Sequence, residues 1–168
     1  MKKRLLIIML IILVAVVVAI CWIVSTKNKN ISNLRVIVEK SYINYAWGFQ
    51  YKGEAILNDG TIVKWNKSDL NSLSDDIKEQ SNWIINNSDI KIEKVSNKDL
   101  KKLNQYISEI KDEFEYEGSQ GADMGANCVK IYNYEEKTIL KLSEQGDNVG
   151  KNNSEEAKRC LDLIEKYL

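Results

Sequence analysis

The longest unbroken apolar run lies near the N-terminus. Leu5 to Val24, "LLIIMLIILVAVVVAICWIV", is twenty residues without a charge, a glycine or a proline. An α-helix rises about 1.5 Å per residue, so the run matches the roughly 30 Å hydrocarbon core of a bilayer. It predicts one membrane-spanning helix. The basic head "MKKR" precedes it and the polar stretch "STKNKNISN" follows. The positive head places the N-terminus in the cytoplasm and sends the rest outward, although Lys27 and Lys29 make the charge bias modest. The expected division is head and anchor over 1–26, linker over 27–33 and an extracytoplasmic domain over 34–168. Two other fates of the run are open. A cleaved secretory signal has a shorter apolar core. A lipoprotein cysteine at Cys21 would want a small residue before it, where Ile20 stands.

Beyond the linker the pattern changes to short alternations. Leu34, Val36 and Val38 alternate with Arg35 and Glu39, which predicts a half-buried strand over 34–41. Asn58-Asp59-Gly60 separates two apolar runs, predicting a hairpin with strands at about 45–57 and 61–65 and Gly60 at φ > 0. Gly48 and Gly53 mark bulges or close backbone approach. Leu70, Leu73, Ile77 and Ile84 recur at helical spacing over 68–87, with Ser68 or Ser74 as cap. Asp89 to Val95 alternates again as a strand. Leu100, Leu103, Ile107, Ile110 and Phe114 form the cleanest helical stripe, opened by the capping-box pair Ser96 and Asp99. A second hairpin pairs 128–134 with 138–143. "EQGDNVGKNN", over 144–153, reads as a loop. A last helix starts near Asn153 or Ser154 and carries Ala157, Leu161, Ile164 and Leu168. The order β-β-β-α-β-α-β-β-α fits an α+β domain, a mainly antiparallel sheet with helices packed on one face.

Two of these segments carry a likeness to known proteins. "YAWGFQYKGEAILNDGTIVKW", and "ADMGANCVKIYNYEEKTILKLSEQGDN" followed by a helix, resemble small uncharacterised membrane-anchored or lipoprotein-like envelope proteins of clostridia and related low-GC bacteria. The resemblance implies a place in a bacterial cell envelope. It implies no activity, and no site residue follows from it.

Composition narrows the chemistry. The chain has no histidine and no proline. The missing histidine removes Ser-His-Asp and Cys-His catalysis and the commonest transition-metal ligand. Lysines and arginines number 24, matched by 24 acidic residues. Without Lys2, Lys3 and Arg4 the balance is slightly acidic, which is no footprint for nucleic acid. The glycine-rich stretch "GSQGADMGAN" precedes a strand and not a helix, so it is not a phosphate cradle. No cofactor is indicated.

Four residues are candidate ligand contacts. Trp47, Phe49 and Tyr51 fall on one face of an unbulged strand with Tyr45, as a stacking platform or as core. Asp123 is the only charged side chain in the glycine-rich stretch. Asp112, Glu113, Glu115 and Glu117 cluster after the second helix. A carboxylate-dependent hydrolase would need Glu113, Glu115 or Glu117 to face Asp123 across a cleft of about 5–9.5 Å. Cys128 and Cys160 are candidates for one disulfide, with two buried free thiols as the alternative. The expected partners are membrane lipid, through Leu5 to Val24, and a protein or cell-wall component. The expected role is a membrane-tethered binding or interaction protein. The alternatives are the carboxylate hydrolase and an immunity or inhibitor protein that blocks an extracellular toxin or hydrolase.

Overall fold

The computed structural model describes residues 33–46, 48–68 and 73–168, together with Val16. Arg35–Leu168 forms one compact unit. In chain order its elements are β1 (Val36–Asn44), β2 (Gln50–Leu57), β3 (Thr61–Lys67), α1 (Ile77–Asn86), β4 (Asp89–Lys94), α2 (Asn97–Glu109), β5 (Phe114–Gly118), β6 (Ala126–Asn133), β7 (Thr138–Gly146), β8 (Val149–Asn152) and α3 (Glu155–Glu165). The expected α+β class with an antiparallel sheet holds. One eight-stranded sheet runs in the order β4-β3-β2-β1-β6-β7-β8-β5. The anchor run, apart from Val16, and Trp47 lie outside the described residues. Among the described residues no helix is long and apolar enough to cross a membrane.

The first hairpin forms as its turn residues dictate. Gly60 has φ +81°, and its N–H donates to the Leu57 carbonyl at 2.9 Å. Asp59 accepts from the Thr61 N–H at 3.0 Å and from the Thr61 hydroxyl at 2.9 Å. Asn58 Oδ1 accepts from the Arg35 N–H at 3.0 Å, tying the turn to the start of β1. Partial burial works against the Asp59 carboxylate. The bonds from Thr61 and the charge of Lys94 outweigh it and hold the acid below its usual range.

Helices cover both faces of the sheet, not one. Val38 pairs with Ile56 and Ile131, which pair in turn with Ile62 and Leu140. These side chains form one core with Leu103 and Ile107 of α2 and Ala157, Cys160 and Ile164 of α3. Residues of the opposite parity, among them Glu39, Tyr51 and Ala55, lie on the other face. There α1 is fastened by Gln80 Nε2, which donates to the Tyr51 hydroxyl at 2.7 Å, and by Ser81 Oγ, which accepts from the Val36 N–H at 2.9 Å. The cause is visible in β1. Val36, Ile37 and Val38 are consecutive and all buried. A strand apolar on both parities needs cover on both faces.

Three boundaries also differ from the pattern. α1 starts at Ile77, and Asp76 caps it by accepting from the Lys78 and Glu79 N–H groups at 2.9 Å each. Ser74 instead braces the cap, accepting from the Asp76 N–H and donating to Glu79. α2 ends at Glu109 and its C-cap Ile110 is extended (φ −63°, ψ 129°), so Phe114 leaves the stripe and opens β5. The stretch expected as a loop over 144–153 continues β7 and forms β8, which pairs with β5. Its polar residues carry no alternation to announce a strand. The neighbouring backbones hold it, and a Cβ on Gly150 would come within 2.7 Å of the Phe114 ring.

Ser96 caps α2 as its sequence implies, its hydroxyl accepting from the Asp99 N–H at 3.2 Å. The Asp99 carboxylate ties α2 to the end of the chain. Lys166 Nζ donates to it at 2.6 Å and the Tyr167 hydroxyl at 2.7 Å. These bonds hold the Asp99 carboxyl well below its ordinary value, at about 2. A carboxyl depressed in the fold stabilises it above its unfolded value, about 3.9, and that contribution is lost as pH falls towards 2. Asp99→Asn therefore lowers the urea midpoint at pH 7. The gap to the parent protein closes as titration proceeds from about pH 5 to about pH 2; a gap constant over that range would refute the assignment.

Candidate functional site

The face that carries α1 holds a buried polar cluster on central strands. Glu39 of β1 is 0% exposed. Its carboxylate accepts from the Ser41 hydroxyl at 2.5 Å, the Tyr132 hydroxyl at 2.5 Å and Lys130 Nζ at 3.2 Å. Sheet register brings these groups together: Glu39 pairs with Lys130, and Ser41 with Cys128. Tyr51 lies beside them, its ring 5.1 Å from Trp65 and 5.2 Å from Trp83. Burial drives the Tyr51 and Tyr132 hydroxyls far above their ordinary values, and the Glu39 charge adds to it. Both hydroxyls therefore stay neutral, Tyr132 donating to Glu39 and Tyr51 accepting from Gln80. A fully buried carboxylate is tolerated only where donors replace water, and this one has them.

Next to the cluster the same face opens into a groove of about 920 Å³. Cys128, Lys130, Lys141 and Glu144 line it, together with Tyr45 and Asp123. Lys141 pairs with Glu144, and its ammonium sits 5.3 and 5.7 Å from the ring centres of Phe114 and Tyr116. Partial burial disfavours the Lys141 charge, but the bond to Glu144 outweighs it and the lysine titrates above its ordinary value. Both lysines thus have their charge matched by a glutamate on the same sheet face. Burial pushes the Cys128 thiol up, the wrong direction for a nucleophile. Among the described residues no group of His, Cys, Asp and Glu side chains is arranged to hold a metal ion.

The candidate residues from the sequence are dispersed. Tyr51 is 0% exposed and belongs to the core, so it offers no stacking surface. Phe49 is half-buried and stands between Tyr51, 6.4 Å away, and Tyr45, 5.0 Å away. Among the described aromatic residues of that face, only Tyr45, 66% exposed, lines the groove. Asp123 is exposed on the groove wall with φ +67°. The loop that bears it is fastened at three points. The Ser119 hydroxyl donates to the Asp147 carbonyl at 2.6 Å, the Met124 N–H to Asp147 Oδ1 at 2.7 Å, and the Asp147 N–H to the Gly125 carbonyl at 2.9 Å.

Glu113, Glu115 and Glu117 are exposed. Glu115 accepts from Asn153 at 2.8 Å, and Glu117 pairs with Lys151 at 2.5 Å. None of the three lines the groove that contains Asp123, so the pairing of Asp123 with Glu113, Glu115 or Glu117 is not formed; Asp112 of the same cluster does line that groove. Cys128 and Cys160 are both free and buried. They sit on opposite faces of the sheet: Cys128 pairs with Ser41, while Cys160 packs with Val38. The alternative of two separate buried thiols is the one found, and burial pushes that of Cys160 up to about 12.

Glu39, Lys130, Tyr132 and Glu144 were not legible as site residues. Glu39 reads as the wet side of an amphipathic strand. The one signal against that is the continuous run Val36-Ile37-Val38 before it, which marks a strand buried on both faces. Compared with protein-family models, with curated proteins and with solved structures, the chain finds no match.

Proposed function

We propose that this chain is a membrane-tethered, extracytoplasmic binding protein, and that the groove beside the Glu39 cluster receives its protein or cell-wall partner. The observation that carries this reading is the groove itself. A rigid sheet floor with internally matched charges supports it, and its mouth carries an exposed aromatic, Tyr45, and an exposed carboxylate, Asp123. Preformed concave sites with a few fixed polar groups are the common form of ligand sites. The tether rests on the twenty apolar residues after a basic head. An immunity or inhibitor protein is one form of the same reading.

The test is site-specific photocrosslinking in intact cells. A crosslinker at Tyr45 or Asp123 yields a discrete adduct, while one at Lys101, exposed on α2, does not. External protease removes the domain from intact cells. Equal labelling from all three positions would remove the groove from the reading, and a protected domain would remove the outward orientation.

A further inference from the structure

The charges that line the groove beside the Glu39 cluster do not balance. On its floor, Lys130 is paired with Glu39 and Lys141 with Glu144. Its remaining charged residues are four aspartates, Asp75, Asp112, Asp123 and Asp147, against one lysine, Lys137. Among the described residues none of the four aspartates forms an ion pair. The Asp147 carboxylate takes only the Met124 N–H, at 2.7 Å. Asp75, Asp112 and Asp123 are exposed. A cleft lined by one sign of charge concentrates ions of the other sign.

Two buried acceptors open into the same groove without a donor. Glu144 is 6% exposed and Gln80 of α1 is 3% exposed, and both line the groove. Lys141 occupies Glu144 Oε2, which leaves Oε1 without a hydrogen bond among the described residues. Gln80 commits its Nε2 to the Tyr51 hydroxyl, which leaves its Oε1 in the same state. Neither oxygen is sealed from solvent, so both reach into the groove they line. A largely desolvated acceptor without a donor costs free energy that an incoming N–H recovers.

The shape selects among cations. The groove follows β7 from Thr138 to Asn148, roughly 30 Å at about 3.3 Å per residue. An extended peptide of about nine residues fits that length. Leu73 and Ile139 line it too, with the exposed Tyr45, and offer apolar surface to the methylene stems of long basic side chains.

We propose that the occupant of the groove is a basic peptide segment, extended along β7, with lysine or arginine side chains set against Glu144, Gln80 and the aspartates. Ammonium and guanidinium groups carry donors only, and every unpaired charge in the groove except Lys137 is an acceptor. The inference rests on the groove being the ligand site and names the chemistry of its ligand.

The test uses the full chain in phosphatidylcholine nanodiscs and measures the anisotropy of fluorescein-labelled decapeptides. An alternating lysine–serine peptide binds saturably and salt weakens it, while an alternating glutamate–serine peptide does not bind. Asp112→Asn/Asp123→Asn weakens binding of the lysine peptide about tenfold with the melting curve unmoved. Asp75→Asn supplies a second charge removal should the double variant disturb folding. Asp162→Asn, exposed on α3, changes nothing. The proposal is overturned if the lysine peptide does not bind, if the glutamate peptide binds as tightly, or if the aspartate variants bind as tightly as the parent protein. Displacement by spermine at equal charge would also overturn it, in favour of a small polyamine. A crosslink from Tyr45 in cells that persists when the lysine peptide fails to bind leaves the groove as the site and removes only the basic ligand.

Discussion

Glu39→Ala lowers the unfolding free energy by about 3–5 kcal/mol and the thermal midpoint by about 10 °C. The carboxylate is fully buried and takes hydrogen bonds from Ser41, Tyr132 and Lys130. Its removal leaves two hydroxyls without an acceptor in the sheet interior, which costs far more than the bonds themselves contribute. Lys130 is 17% exposed and can turn towards the groove, so the hydroxyls dominate the penalty. Glu39→Gln keeps the shape and an acceptor oxygen, and costs a smaller amount, about 1–3 kcal/mol. Urea unfolding followed by far-UV circular dichroism measures both. An alanine variant within about 0.5 kcal/mol of the parent would show that the cluster does not hold β1 to β6.

The second large effect is expected at Gly53. It pairs with Ser41 on one side and Trp65 on the other. A Cβ there would lie 2.5 Å from the Lys40 carbonyl oxygen, 2.8 Å from Trp65 Cζ2 and 2.9 Å from Ser41 Cα. Two of these three neighbours are backbone and cannot yield. The third belongs to an indole that is 2% exposed and packed on Tyr51. Gly53→Ala therefore costs about 3 kcal/mol and moves the tryptophan emission, because Trp65 must shift to admit the methyl group. Unchanged emission with a loss under about 0.5 kcal/mol would mean that the strands part freely at this point.

These two residues show what could be read before the fold was known. A glycine inside a strand pattern signals close approach, and at Gly53 it does. Asn58-Asp59-Gly60 announced its hairpin because the turn is set by local φ preferences and short side-chain bonds. Ser96 announced the start of α2 for the same reason. Ser154 did so for α3, where its hydroxyl accepts from the Ala157 N–H at 3.3 Å. The pairing of β5 with β8 could not be read. β8 is four residues long, Val149–Asn152, and its place depends on strands brought next to it from elsewhere in the chain. Phe114 was misplaced for a related reason. Its helical spacing is real, but the Ile110 cap turns the chain into a strand before the stripe is complete.

The candidate site divides along the same line. Asp123 is recognisable as a charged position of a glycine-rich stretch, whereas Tyr45 reads as one face of a strand; both line the groove. Glu39 looks like an ordinary solvated charge, because alternation in one strand cannot report how many layers cover it. By itself the sequence determined the twenty-residue apolar run, the antiparallel α+β class, the turns and caps, and the absence of histidine chemistry, since each depends on residues close together in the chain. Only the tertiary structure decided that both faces of the sheet are covered and that the two cysteines lie on opposite sides of it. The same holds for Glu39 meeting Lys130 and Tyr132, residues 91 and 93 positions away. Such contacts are fixed by strand order and register, which come from the packing of the whole domain and not from any one segment.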